Sequence, residues 1–337
     1  MNEKENFMRV MRGETPEWAP RFALHDEWSK YPPSNTSLGF RFIFDRQSPS
    51  GKRMDIWGVE YTPTEDTGGQ ALPTPGRFIL DDIRKWRDVI KAPDLSSINW
   101  EAEAKKELDA FKYDRNEVAV GAGGGSGFFM VLMNIMGFTE GLCAMAEEPE
   151  IVKELFDYIA DFSVAVAIKS LDYFKPDFFN IGDDTAAAGN PFISPEAQRE
   201  LIKPFHHRLT KLAIDRGLPI MMHCCGRCED YIDDWLDIGV TAWNPAQLTN
   251  DLSGIKKKYG NKLALCGCWD SSGPAGWYGA PEEVVRQGVR DSINTYGPGG
   301  GYMFYGSSYG PAADVNVQNK KKWITEEYEA RRYDPYK

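Results

Sequence analysis

His223-Cys224-Cys225-Gly226 closes the apolar run Leu218-Pro219-Ile220-Met221-Met222, and on an extended strand end residues two apart point the same way. His223 and Cys225 thus form a pair that can hold zinc through an imidazole nitrogen and a thiolate sulfur. The sulfur binds deprotonated, and the metal itself lowers the thiol pKa to make this possible. Cys268, in Gly267-Cys268-Trp269-Asp270 at the end of a later apolar run, is the expected third ligand, with Cys266 as its same-face neighbour. Three protein ligands leave one coordination position open, the mark of a catalytic zinc that polarises substrate or water.

Plainer readings exist for the same residues. Cysteine is often a small buried hydrophobe, and a lone histidine is usually a satisfied core residue. Cys225-Gly226-Arg227-Cys228 has the spacing of a redox C-x-x-C, or with His223 and Cys268 would close a structural zinc site. Cys228, however, opens the next helical segment, where its side chain need not face the same way. Asp183 and Asp184 end another apolar run, and Asn244 ends a third. All three are expected to be catalytic: the carboxylates can orient a hydroxyl, act as general base or lend the metal an oxygen, with Asp184 favoured. The competing view is that one of them caps the next helix. His206 and His207 sit mid-helix near Lys203, Arg208 and Lys211, so at least one belongs to a solvated face.

These residues need a scaffold that brings strand ends together. From residue 117 onward short apolar runs alternate with long amphipathic segments, the signature of a parallel sheet with crossover helices. EVAVGAG, DFFNIGDD, LPIMMHCCG, VTAWNP, KLALCGCWD and GGYMFYGSS read as strands. ISPEAQRELIKPFHHRLTKLAIDRG reads as one helix, starting at Ser194-Pro195 and stopping at Gly217. So many units in 337 residues favour a single α/β domain, a closed (β/α)8 TIM barrel, whose strand C-termini hold the chemistry. Residues 1–110, rich in aromatics and prolines, read as an N-terminal elaboration at the barrel mouth. There Phe22, His25 and Trp57, with Trp18 and Trp28 near them, can line a pocket for a flat apolar substrate, or simply pack. The glycine run Gly121–Gly127 lacks the residues of a phosphate loop and reads as room for close backbone approach.

Composition narrows the function further. A hydrophobic content of 42% supports a large core, and the net charge of -11 argues against nucleic acid as a partner. Five of the six cysteines fall between residues 224 and 268, crowding that suits metal or redox chemistry better than disulfide stapling. No apolar stretch reaches membrane-spanning length and the charged start MNEKENFMRVMRG is unlike a signal peptide, so a cytoplasmic location without membrane contact is expected. A homodimer is left open.

The chain resembles the uroporphyrinogen decarboxylase superfamily, in particular its corrinoid-dependent methyltransferase branch. The resemblance is carried by Asp55-Ile56-Trp57-Gly58, GFTEGLCAMAEEPEIVKELFDYI, FFNIGDDTAAAG, FISPEAQRELIKPF, MMHCCG, WNPAQ, the GCWD turn and GPGGGYMF. True porphyrinogen decarboxylases carry an R-x-x-G-R turn and no zinc, whereas this chain reads Pro20-Arg21-Phe22-Ala23-Leu24-His25. The methyltransferase branch carries an H-x-C pair after a central strand, which His223 and Cys225 match. Methylcobamide:coenzyme M methyltransferases place a third cysteine in the last strand region, where Gly306-Ser307-Ser308-Tyr309 stands here. Cys268, Cys266 or an acidic residue such as Asp184 must replace it if the metal is kept. The resemblance implies a zinc enzyme moving a methyl group between a small donor or acceptor and the cobalt corrinoid of a separate protein, in anaerobic demethylation of aromatic methyl ethers. A metal-free decarboxylase or lyase using Asp183 and Asp184, and a non-enzymatic barrel with a structural zinc, are the alternatives.

Overall fold

The computed structural model describes residues 1–22, 25–44, 46–47, 52–63, 71–123, 125, 127–308, 310–311 and 313–337. A short strand β1 (Asn35–Ser37) is followed by a small antiparallel sheet of β2 (Arg46–Gln47), β3 (Arg53–Met54), β4 (Glu60–Pro63) and β5 (Ala71–Pro73). The six apolar runs then form β6 (Ala119–Gly123), β7 (Phe178–Gly182), β8 (Ile220–His223), β9 (Val240–Ala246), β10 (Ala264–Gly267) and β11 (Tyr302–Phe304). Together with β1 they make one sheet in the order β1-β6-β7-β8-β9-β10-β11, every pair parallel. Strands of such a sheet are covered on both faces, which is why they read as continuous apolar runs.

The sheet is strongly curled. Ala119, Phe178, Met221, Ala242, Ala264, Cys266 and Met303, one concave face of six strands, pack in a single cluster with Phe7, Met8, Val10 and Met11 of the helix Glu3–Met11. That helix touches β1 and β11, the two edges of the sheet, as well as β6. Beside β11, Phe22 N donates to Phe304 O and Phe304 N donates to Pro20 O, both at 2.8 Å, so the chain around Arg21 runs parallel to β11. Among the described residues the hydrogen-bonded sheet has seven strands, and no ladder joins the Arg21 segment to β1. Residues 1–110 are therefore more than an elaboration at the mouth. They supply β1 and the helix that fills the concave face.

Helices cover the outer face. The segment after Ser194, expected as one helix, is two: Pro195–Leu201, capped by the Ser194 side chain accepting from Ala197 N, and Lys203–Ile214. Pro204 explains the break, because it has no N–H to donate and its ring crowds the preceding turn. His206 is buried and His207 exposed, as an amphipathic face requires. No single helix among the described residues is long and apolar enough to cross a bilayer.

The two halves of the chain are tied at the back of the molecule. Arg332, 1% exposed, pairs with Glu3 and lies over the rings of Trp18, Tyr31, Tyr328 and Tyr333. Its carbonyl accepts from Ala19 N at 2.8 Å.

Candidate functional site

The alternation of β8 places Met221 among the concave-face residues, and His223, two residues on, follows it at the strand's C-terminal end. Parallel pairing sets His223 beside Gly182 of β7 and Asn244 of β9. Beyond the strand ends two loops grip each other: Asp183 N donates to His223 O, Cys224 N to Asn244 O and Arg227 N to Ala187 O, each at 2.9 Å. Gly226 sits at φ +93°, and a side chain there would lie 2.5 Å from Ala186 O, so only glycine lets the loops meet.

This frame gathers three unlike donors. Asp184 Oδ1 is 3.7 Å from His223 Nε2, which is 3.8 Å from Cys225 Sγ, and the ligand atoms of all three lie within 4.8 Å of one another. Asp184 Oδ1 also accepts from Cys225 N at 2.7 Å, which fixes its direction. His223 Nδ1 meets Asn244 Oδ1 at 2.6 Å, and Asn244 Nδ2 donates to Met221 Sδ. With the amide oxygen as acceptor, Nδ1 carries the proton and Nε2 offers its lone pair to the cluster. The His223 side chain is 51% exposed, so the group opens to solvent. Burial, and after it the Asp184 carboxylate, pushes the Cys225 thiol up to about 12.

Cys268 does not join this group. Gly267 at φ +142° and Cys268 at φ +55° break the two-residue alternation of β10. Cys266 stays on the concave face, while Cys268 is buried in the outer core near Lys256, Tyr296 and Tyr302. The expectation that Cys266 and Cys268 share a face is corrected by that turn, and Asp184 stands where the third donor was sought. Nor does Cys225 face Cys228: the Cys228 thiol packs 3.4 Å from Cys224 Sγ and donates to Cys225 O.

Asp183 is also corrected. It is buried, and its carboxylate accepts from Phe129 N (2.9 Å) and Met130 N (3.0 Å), the first turn of the helix Phe128–Met136. It caps an earlier helix, not the next one, and has no oxygen free for substrate. His206 Nε2 lies 3.4 Å behind it. Gly127 makes the cap possible, since a Cβ there would be 2.3 Å from Asp183 Cγ. This is the close approach expected of the glycine run, of which Gly124 and Ser126 lie outside the described residues, as do Ala23, Leu24 and Tyr309.

The aromatic residues divide. Phe22 packs against the concave-face cluster, its ring edge-on to Tyr305 at 5.5 Å. Trp57 lines a cavity of about 450 Å³ with Arg53, Asp55, Tyr61, Val131 and Asn134. His25 is exposed, edge-on to Tyr113 at 6.3 Å, and borders a different small cleft with Glu3 and Arg332 at the back of the molecule. Trp18 is spent on the Arg332 cluster.

Asn244 gives a first expected result. Asn244→Ala leaves Asp184, His223 and Cys225 in place but frees the imidazole, so if these three hold zinc, its affinity measured by competition with a chromophoric chelator should fall roughly 10- to 100-fold. Unchanged affinity would mean that the 2.6 Å contact does not orient the ring.

Comparison with known proteins adds the family. The profile for uroporphyrinogen decarboxylase (URO-D) matches residues 55–326. No curated protein matches the sequence. Among solved structures, a methyltransferase from Methanosarcina mazei superposes with a TM-score of 0.64 at 13% identity, over 98% of this chain and 99% of that one. A B12-independent methionine synthase from Shewanella sp. W3-18-1 superposes with a TM-score of 0.43 at 10% identity, over 83% of this chain and 76% of that one. The match to the profile spans most of the sequence and takes in the strand ends that carry Asp184, His223 and Cys225: the chain belongs to the uroporphyrinogen decarboxylase family.

Proposed function

We propose that this protein is a zinc-dependent methyltransferase that takes the methyl group of an aromatic methyl ether and passes it to the reduced corrinoid of a separate cytoplasmic protein, on a closed (β/α)8 scaffold. The observation that carries the reading is the meeting of His223 Nε2, Cys225 Sγ and Asp184 Oδ1 at the ends of β7 and β8. Nitrogen, sulfur and oxygen donors suit zinc, and bonds of about 2.0–2.3 Å at tetrahedral angles put donors roughly 3.3–3.7 Å apart. The observed 3.7 and 3.8 Å need little closure to meet this. The neighbour from Methanosarcina mazei, of the same fold, is a methyltransferase by name.

Bound there, a zinc ion supplies positive charge where a leaving oxygen becomes negative. In the transfer the O–CH3 bond breaks, the methyl carbon leaves to the corrinoid acceptor, and the bonding pair stays on the substrate oxygen. Asn244 holds the imidazole, Asp184 is held by the Cys225 amide, and the exposed side of His223 leaves room for the substrate. The metal-free alternative keeps one of its two carboxylates, Asp184, because Asp183 is committed to helix amides, and Arg227, the cation adjoining the site in sequence, pairs with Glu229 at 2.7 Å.

The test mixes zinc-loaded protein, free cob(I)alamin and 2-methoxyphenol under anaerobic conditions and follows methylcobalamin by its absorption. Turnover lost at least 100-fold in His223→Ala is the expected outcome, on the order of what removing a charge-stabilising group costs. Carbon dioxide release from carboxylated aromatics by metal-free protein, with no methyl transfer, would overturn the proposal.

A further inference from the structure

Gln247 lies in the WNPAQ segment, three residues after Asn244, and its side chain reaches across to the loop that carries the metal donors. Gln247 Oε1 accepts from Gly226 N at 2.6 Å. That N–H belongs to the peptide joining Cys225 to Gly226, whose carbonyl, Cys225 O, accepts from the Cys228 thiol. The peptide on the other side of Cys225 is held by Cys225 N donating to Asp184 Oδ1 at 2.7 Å. With both flanking peptides fixed, the freedom left to the Cys225 sulfur is rotation about Cα–Cβ, among a few staggered positions.

A brace is needed at this point of the chain. Gly226, at φ +93°, has no Cβ to restrict its backbone, so hydrogen bonds rather than sterics must set the peptide before it. Asp184 cannot serve alone, because the oxygen that accepts from Cys225 N is the one that faces His223 Nε2 and would be shared with a metal. Gln247 is outside the donor group and has no such second task. It is also well anchored. Its carbonyl accepts from Asn250 Nδ2 at 3.0 Å and from Asn250 N at 3.1 Å. Asn250, 7% exposed, donates from Nδ2 to Gly226 O at 2.9 Å and accepts at Oδ1 from Cys228 N at 2.8 Å. The stretch from Asn244 to Asn250 thus grips the stretch from His223 to Cys228 along its length.

We propose that Gln247 is a positioning residue that sets the Cys225 sulfur toward the metal position, as Asn244 sets the His223 imidazole. The inference rests on the zinc reading and deepens it: the thiolate keeps its place among the ligands through a neutral amide that is not itself a ligand.

The test titrates cobalt(II), a coloured substitute for zinc, into the full chain and reads both affinity and the thiolate-to-cobalt charge-transfer absorption, with Cys225→Ser as the blank. Gln247→Leu removes the acceptor at nearly constant volume; it should weaken cobalt binding about 10- to 100-fold and lower the charge-transfer absorption per bound ion. Gln247→Glu keeps an acceptor oxygen for Gly226 N and should restore both. Gln247 is half-buried, so the melting temperature of metal-free Gln247→Leu should stay close to that of wild type, and Gln247→Ala repeats the comparison without the leucine side chain. Undiminished affinity and absorption in Gln247→Leu and Gln247→Ala, or an equal loss in Gln247→Leu and Gln247→Glu, overturns the proposal while leaving the zinc reading in place. A wild-type chain that takes up no cobalt overturns the zinc reading and this inference together.

Discussion

On the proposed zinc function, replacing Cys225 with serine is expected to abolish metal binding without unfolding the protein. Structural zinc sites with four ligands bind with roughly 10–16 kcal/mol, so losing one strong ligand costs on the order of 3 kcal/mol and about 100-fold or more in affinity. After dialysis against a weak chelator, wild type should hold about one zinc per chain and Cys225→Ser a small fraction of that, by elemental analysis. Its melting temperature without metal should stay close to that of wild type, because the three donors sit at the rim outside the core, His223 being 51% exposed. Cys268→Ser is the informative companion. Cys268 lies in the outer core, turned away by the positive φ angles at Gly267 and at its own position, so its serine variant should keep the metal. Loss of zinc from folded Cys268→Ser would return that residue to the ligand set and remove Asp184 from it.

The largest expected loss of stability comes from a methyl group at Gly127. A Cβ there falls 2.3 Å from Asp183 Cγ and Oδ1 and 2.5 Å from Gly182 O, so neither neighbour can step aside alone. Asp183 is pinned by Phe129 N and Met130 N, and Gly182 O belongs to the end of β7. Relief requires the helix Phe128–Met136 to back away, which strips two charge-assisted hydrogen bonds from a buried carboxylate. Gly127→Ala should therefore cost about 3–5 kcal/mol and lower the melting temperature by roughly 5–15 °C. Zinc content should fall with it, since Asp184 adjoins the displaced residue. A Gly127→Ala protein as stable as wild type would show that the helix end is looser than its contacts indicate.

Much of this was legible in the sequence, and the failures have definite causes. The six later strands were readable because burial on both faces leaves unbroken apolar runs, and His223 and Cys225 could be paired because alternation persists to the end of β8. β1 is three polar residues, Asn-Thr-Ser, held by parallel pairing to β6 rather than by any pattern of its own. The same rule that paired His223 with Cys225 misled at Cys268, where two positive φ angles in succession turn the side chain over. Asp183 and Asp184 look alike in sequence. What separates them is that the amides of Phe129 and Met130, more than fifty residues earlier, take one of the two. The Pro204 break was visible and outweighed by the long apolar stripe. The resemblance to the family rested on segments spread over the chain, and the profile match from residue 55 to 326 spans all of them.

The joint between Glu3, Ala19 and Arg332 also bears on how the chain folds as it is made. Glu3 is buried against Arg332, Ala19 bonds to the backbone of Arg332, and Pro20 and Phe22 bond to Phe304. At a synthesis rate of about 5–20 residues per second, the first helix emerges roughly 15–60 s before these partners do. During that interval the apolar side of Phe7, Val10 and Met11 has no finished sheet to cover it. The helix Glu3–Met11 therefore docks only once residues 302–332 have been made, and until then its apolar side is a surface for chaperones.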